Sequence, residues 1–208
     1  MGTEKMNTLS KHWFKIAAVV VVLALAAAIG YKTVMKKEFP HTPMGPATDF
    51  KLTNLQGQST GLSDYDGKVR LVYFFWSTCP DVCSPTTYVL SQVQEKLKEK
   101  KSFGNKAEIL SVSFDPDRDT PERLKEFSQT FKADPAGWQF LRGGKQETRD
   151  LAKQYGVSVI EGKDGSLTHT NAIFIVDKKG IKRHYYGGSD LDLSADQIVE
   201  DILFLSKE

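Results

Sequence analysis

Val69-Arg70-Leu71-Val72-Tyr73-Phe74-Phe75-Trp76, running straight into Ser77-Thr78-Cys79-Pro80-Asp81-Val82-Cys83, is the stretch whose reading decides the fold. The first eight residues are apolar at nearly every position, the pattern of a central strand covered on both faces. The cysteine-bearing segment interrupts that run. From about Val82 to Lys100 the apolar residues Val89, Leu90, Val93 and Leu97 then recur at helical spacing. Both sulfurs therefore fall where a central strand stops and a helix starts, the end of an α/β sheet that tends to carry its sites.

Toward the C-terminus the same alternation continues. Ala107 to Phe114 reads as a second central strand, and a helix follows Asp119, with Pro121 in its first turn and Leu124, Phe127 and Phe131 on one face. Trp138 to Leu141 reads as a short strand and Lys145 to Tyr155 as a helix. A loop, Glu161 to Ser166, leads to the strand Ala172 to Asp177, which turns through Lys178-Lys179-Gly180 into Ile181 to Tyr186 as an edge hairpin. Ser194 to Leu205 closes the chain as a helix with Ile198, Ile202 and Leu205 inward. Before the central strand, Asp49 to Thr53 and Ser59 to Leu62 read as short edge strands. The expected fold is α/β and thioredoxin-like, enlarged by an N-terminal hairpin and by an extra strand and helix in the middle.

The N-terminus has a different character. After a short segment, 1–15, the run Ile16 to Tyr31 carries no charge and is framed by Trp13, Lys15 and Lys32. It reads as one slightly short transmembrane anchor, with Trp13 and Tyr31 at the interfaces and the lysines reaching outward. A cleaved secretory signal is the competing reading, with Lys5, Lys11 and Lys15 as its basic region and Ala24-Leu25-Ala26 as its small-residue site. Either sends the rest of the chain to or across a membrane, a bacterial one being the simpler home; no lipobox-type cysteine is present. The lysines flank the run evenly and leave its orientation open. Residues 32–47 include Lys36 to Pro46, with three prolines and no apolar periodicity, and are expected to form a linker to a single domain over 48–208. A net charge of +2, with basic and acidic residues interspersed, gives no nucleic-acid patch.

Cys79 and Cys83 are the only cysteines in the chain. One helical turn separates them, so both sulfurs can approach one ion or each other, and the helix N-terminus favours thiolates there. A structural staple is a poor account, because closing so short a loop contributes only about 2 kcal/mol between neighbours the helix already holds. The redox pair of thioredoxins is Cys-x-x-Cys, and this pair has one more residue between the sulfurs. Two soft thiolates select Cu(I), and an added imidazole also accommodates Cu(II); zinc is the alternative metal. Of the four histidines, His12, His41 and His184 read as solvated surface. His169 lies three residues before the strand starting at Ala172, in a loop that approaches the active-site cysteines in thioredoxin-like folds and here has no proline. From its position it reads either as a ligand or as a loop histidine.

Taken together, Cys79-Pro80-Asp81-Val82-Cys83, the segment Asp115-Pro116-Asp117-Arg118-Asp119-Thr120-Pro121-Glu122, and His169 ahead of a strand ending in Asp177 resemble the Sco family, also called SenC or PrrC. That resemblance covers Thr48 to the C-terminus. It implies a membrane-tethered copper chaperone that helps assemble the dinuclear copper site of cytochrome c oxidase, with Cys79, Cys83 and His169 as copper ligands and the oxidase's copper-bearing subunit as partner. Asp115 matches an acidic residue near the family's site, where support of the ligands is more reasonable than direct ligation. The rest of its segment also makes a good helix start, with Asp119 or Thr120 as cap. One departure is Ser84, which stands before Pro85 where the family often has proline directly after the second cysteine. A thiol-disulfide oxidoreductase, with Cys79 attacking and Cys83 resolving, is the competing function and needs no His169. Such a role, like a chaperone that must be kept reduced, would bring a thiol reductase in as a further partner. A thiol peroxidase fits less well, because Thr78 directly precedes Cys79; redox sensing would use the same pair with another partner.

Overall fold

The computed structural model describes residues 4–34, 39–187 and 193–208, and in the first stretch the side chains of 12–27. The chain divides into Met1–Glu38 and Phe39–Glu208. Among its described residues the first unit contains one helix, α1 (Glu4–Val34), which takes in the run expected to be an anchor. Among the described residues, no helix is long and apolar enough to cross a membrane. The side chains of 28–31 lie outside those described.

Among the described residues, the second unit is built on a seven-stranded sheet. Its centre is β3 (Val69–Phe75), buried at every position as its composition requires. β3 pairs in parallel with β4 (Ala107–Ser113), and β4 with β5 (Trp138–Arg142). On its other side β3 pairs antiparallel with β8 (Ala172–Val176), which carries the edge strand β9 (Lys182–Gly187). The hairpin β1 (Lys51–Asn54) and β2 (Ser59–Gly61) joins the far edge through β5. Successive β3 side chains serve opposite faces: Phe74 packs on Tyr155 at 5.2 Å between ring centroids, and Phe75 stacks on Phe127 at 5.3 Å. Arg70, the one charge in this strand, is fully buried and donates to the carbonyls of Tyr65 and Lys68.

Helices α2 (Cys83–Glu99), α3 (Pro121–Thr130), α4 (Lys145–Gln154) and α5 (Ala195–Leu205) lie where the apolar spacing indicated. Three features differ from the sequence reading. The loop expected at Glu161 to Ser166 is the tip of a second, separate two-stranded sheet, β6 (Val159–Glu161) and β7 (Leu167–His169). Each strand has three residues, too few for a visible alternation.

The folded unit also begins at Phe39, not Thr48. Residues 39–47 lie along β9: the Met44 N–H donates to Lys182 O at 2.8 Å, the Lys182 N–H to Gly45 O at 2.9 Å and the Ala47 N–H to Gly180 O at 2.8 Å. Phe39 is buried against Phe204. Prolines hid this strap, since a proline is tolerated at a sheet edge while reading as a linker residue.

Finally, His41 and His184 are half-buried and stacked, with ring centroids 3.7 Å apart, and are not solvated surface. Sequence placed them too far apart to suggest the pairing.

Candidate metal centre

Cys79 lies in the turn after β3, and Cys83 is the first residue of α2. Val82 precedes that helix without any side-chain hydrogen bond capping its start. The free N–H groups at the helix N-terminus are thus available to a sulfur. Cys79 uses them. The adjacent Cys83 thiol, together with the N–H groups of Asp81, Cys83 and Val82, outweighs burial and holds Cys79 down at about 5. Cys83 is fully buried, and both the Cys79 sulfur beside it and its burial push its thiol far up. The pair is therefore a thiolate at Cys79 sharing the proton of Cys83. Ser84 and Pro85 both sit inside the first turn of α2, so the departure from the usual cysteine-proline order leaves the helix start intact.

His169 ends β7 and comes to the sulfurs from the opposite side. Its Nδ1 lies 2.9 Å from Thr170 O and its Nε2 3.5 Å from Cys83 Sγ. A carbonyl oxygen only accepts, so Nδ1 carries the proton in the neutral ring and the Nε2 lone pair faces the sulfur. The ring is held edge-on to Trp76 at 4.9 Å and tilted against Phe114 at 5.2 Å. The donor atoms of Cys79, Cys83 and His169 all lie within 4.8 Å of one another. Bonds of about 2.0 to 2.3 Å to nitrogen and sulfur place the donors of one metal ion roughly 4 Å apart, so a small closure completes a trigonal site. The donor set is that of a soft or borderline cation, and the buried Trp76 and Phe114 back it on one side.

Asp115 is not part of this cluster. Its buried carboxylate accepts from the Arg118 Nε, and Arg118 Nη1 in turn donates to Gly165 O at the tip of the β6–β7 hairpin, 3.2 Å away. Asp119 has a role the sequence reading missed. Thr120 is the cap of α3, accepting from the Arg123 N–H, whereas Asp119 is fully buried and accepts from the Ser77 N–H at 3.0 Å, Ser77 Oγ at 2.6 Å and Ser113 Oγ at 2.5 Å. It ties the start of the cysteine turn to the end of β4. The only signal for this was an acid more than the helix start needed. Asn171 anchors the other side, donating to Thr86 Oγ1 of α2 at 2.9 Å. His12 is exposed on α1.

Comparison with known proteins gives the chain a family. The SCO1/SenC family model matches residues 42–205. A curated relative, the SCO1 protein homolog of Bacillus subtilis, is 27% identical over 156 residues, covering 74% of this chain and 79% of its own. The solved structure of BsSco, described as a member of the Sco family of cytochrome c oxidase assembly proteins in which a disulfide switch was identified, superposes with a TM-score of 0.69 at 26% identity, covering 82% of this chain and 99% of that one. Bradyrhizobium japonicum ScoI with copper bound gives 0.64 at 26% identity, covering 77% and 99%. The mixed α/β fold, the extended match and the convergence of Cys79, Cys83 and His169 lead to one assignment: this chain belongs to the SCO1/SenC family.

Proposed function

We propose that this chain binds copper through Cys79, Cys83 and His169 and hands it to the copper-bearing subunit of cytochrome c oxidase. The observation that carries the reading is the meeting of two sulfurs and one imidazole lone pair within 4.8 Å at the end of the central strand. Relatives support the cargo and the destination: a solved relative holds copper, and another is described as an oxidase assembly protein. Capture begins at Cys79, already a thiolate near neutral pH, and releases the Cys83 proton as the second sulfur binds. His169 adds a third donor, which both oxidation states of copper accept. Delivery is ligand exchange, in which sulfur or nitrogen donors of the acceptor replace these three in turn and the released pair takes back its proton, with no change in the oxidation state of either sulfur. No catalytic step is required.

The N-terminal segment supports a membrane location. The side chains of Val19 to Leu23 and Leu25 are more than half exposed on α1, an arrangement that suits burial in lipid better than contact with water. In this reading 16–31 is a single-pass anchor in a bacterial membrane, the domain lies outside the cytoplasm, and the linker proper shortens to the residues before Phe39.

A second reading is favoured by the split between the two thiols. A Cys79 thiolate can attack a disulfide of the oxidase subunit, and Cys83, giving up its proton, then attacks Cys79 Sγ. The subunit leaves as a dithiol and this chain as the disulfide, so a thiol reductase is needed to reset it. Copper titration of the purified chain separates the two. The chaperone reading requires His169→Ala and Cys83→Ser to bind Cu(II) more weakly than the parent; equal binding in both variants sinks it. In cells, rescue of oxidase activity in a deletion strain by added copper supports delivery, and rescue by a reductant alone supports thiol exchange.

A further inference from the structure

Among the described residues, the β6–β7 hairpin that carries His169 pairs with no strand of the main sheet. It has little apolar anchorage: Val159 and Leu167 are only partly buried against the core, and Ile160 is 65% exposed. Its position therefore depends on polar ties. Apart from the contacts of the His169 ring with Cys83, Trp76 and Phe114, the polar ties to the body among the described residues are three. Glu161 accepts from Arg149 Nη1 at 2.7 Å and from Lys145 Nζ at 3.5 Å, both on α4, and Gly165 O accepts from Arg118. Arg149 is itself well fixed, mostly buried and reaching the Phe114 carbonyl through Nε. Phe114 also packs on the His169 ring. In the hairpin, Glu161 faces Leu167 across the two strands, with His169 two residues further along its strand and opposite Val159. A tie at Glu161 thus sets where His169 stands.

We infer that Glu161, gripped by Arg149 and Lys145, is a positioning residue that latches the β6–β7 hairpin over the cysteines and so governs the imidazole-dependent, Cu(II)-holding state of the site. The inference rests on the copper reading above. Cu(I) is satisfied by two thiolates and tolerates an open hairpin, whereas Cu(II) needs the third donor. Opening the latch therefore weakens the hold on Cu(II) selectively. The Glu161 carboxylate and the Lys145 ammonium are both more than a third exposed, so salt screens their part of the grip.

The test uses the full chain in detergent, titrated with Cu(I) and with Cu(II), the latter followed through its sulfur-to-copper absorption band. Glu161→Gln is expected to lower Cu(II) affinity about fivefold, the scale of a small ion-pair network, and to leave Cu(I) affinity within about twofold. Glu161→Asp, which keeps the charge, recovers part of the loss. Raising salt weakens Cu(II) binding of the parent more than that of Glu161→Gln, and the parent's salt response needs no variant to fold. A merely structural role moves both oxidation states together, or moves only the melting temperature; either result, or no change at all, overturns the latch. A parent that binds neither form of copper, or a His169→Ala variant with undiminished Cu(II) binding, instead removes the copper reading and the latch with it.

Discussion

Two neighbouring sulfurs one helical turn apart end up with opposite proton preferences because they hydrogen-bond to each other, and Cys79 is the one that also gathers the N–H groups at the start of α2. The Cys79 thiolate is stabilised by the Cys83 thiol and three backbone N–H groups, while Cys83 lies fully buried beside that charge. Iodoacetamide should therefore label Cys79 at rates that fall only as pH drops through about 5, with Cys83 unlabelled across the range; mass spectrometry of the labelled peptides reads the outcome, and a Cys79 midpoint near the ordinary thiol value of ~8.5 would contradict the assignment. The sign follows for stability too. The lowered Cys79 value contributes stability that is lost as pH falls from the ordinary thiol range through about 5, and the raised Cys83 value contributes stability that is lost as pH rises above that range. Asp119 offers a second test. Its removal in Asp119→Ala leaves the Ser77 N–H and two serine hydroxyls without their buried acceptor, so urea unfolding should show a loss of about 2 to 3 kcal/mol. The cysteines and His169 were legible as candidates because their residue types are rare and soft-metal donors are few. Asp119 was not, because an acid before a helix is explained equally well by capping; only the burial of Ser77 and Ser113 around it distinguishes the two.

At the scale of elements, the strands and helices of the main sheet were read to within a residue or two, the short β2 and β5 among them, and the β6–β7 hairpin and the strap were not. β3, β4, α2 and α5 carry enough apolar positions to reveal their period. The three-residue strands of the His169 hairpin and the strap at 39–47 carry almost none, and their conformation is set by what they touch. The strap is the cleaner case. Phe39 packs against Phe204, against the Arg183 guanidinium at 5.2 Å and against His41, which stacks in turn on His184. Phe39→Ala should cost about 2 to 3 kcal/mol, at the low end for a buried aromatic because the site lies at the domain's margin. Amide hydrogen exchange at Met44 and Ala47 should speed up in that variant, while the amides of β3 keep their protection. Fast exchange already present in the parent would mean that the strap is not docked.

For the whole molecule, the topology puts Cys79, Cys83 and His169 on three separate pieces of the fold: the turn after β3, the start of α2 and the end of β7. A ligand that joins them binds the folded chain and not the unfolded one. At copper concentrations a hundredfold above the dissociation constant the gain is about 2.7 kcal/mol, worth roughly 5 to 11 °C in melting temperature for a domain of this size. Calorimetry with and without copper, on the parent and on Cys79→Ser, should show the rise only in the parent. The strap has a consequence of another kind. By bonding to Gly180 and Lys182 it caps the start of the outermost strand, where free amides and carbonyls would otherwise be open to a strand from another molecule. The stretch leading out of the N-terminal segment thus doubles as a guard against self-association, and a fragment cut at Thr48 to obtain a convenient domain would carry an unguarded edge into solution.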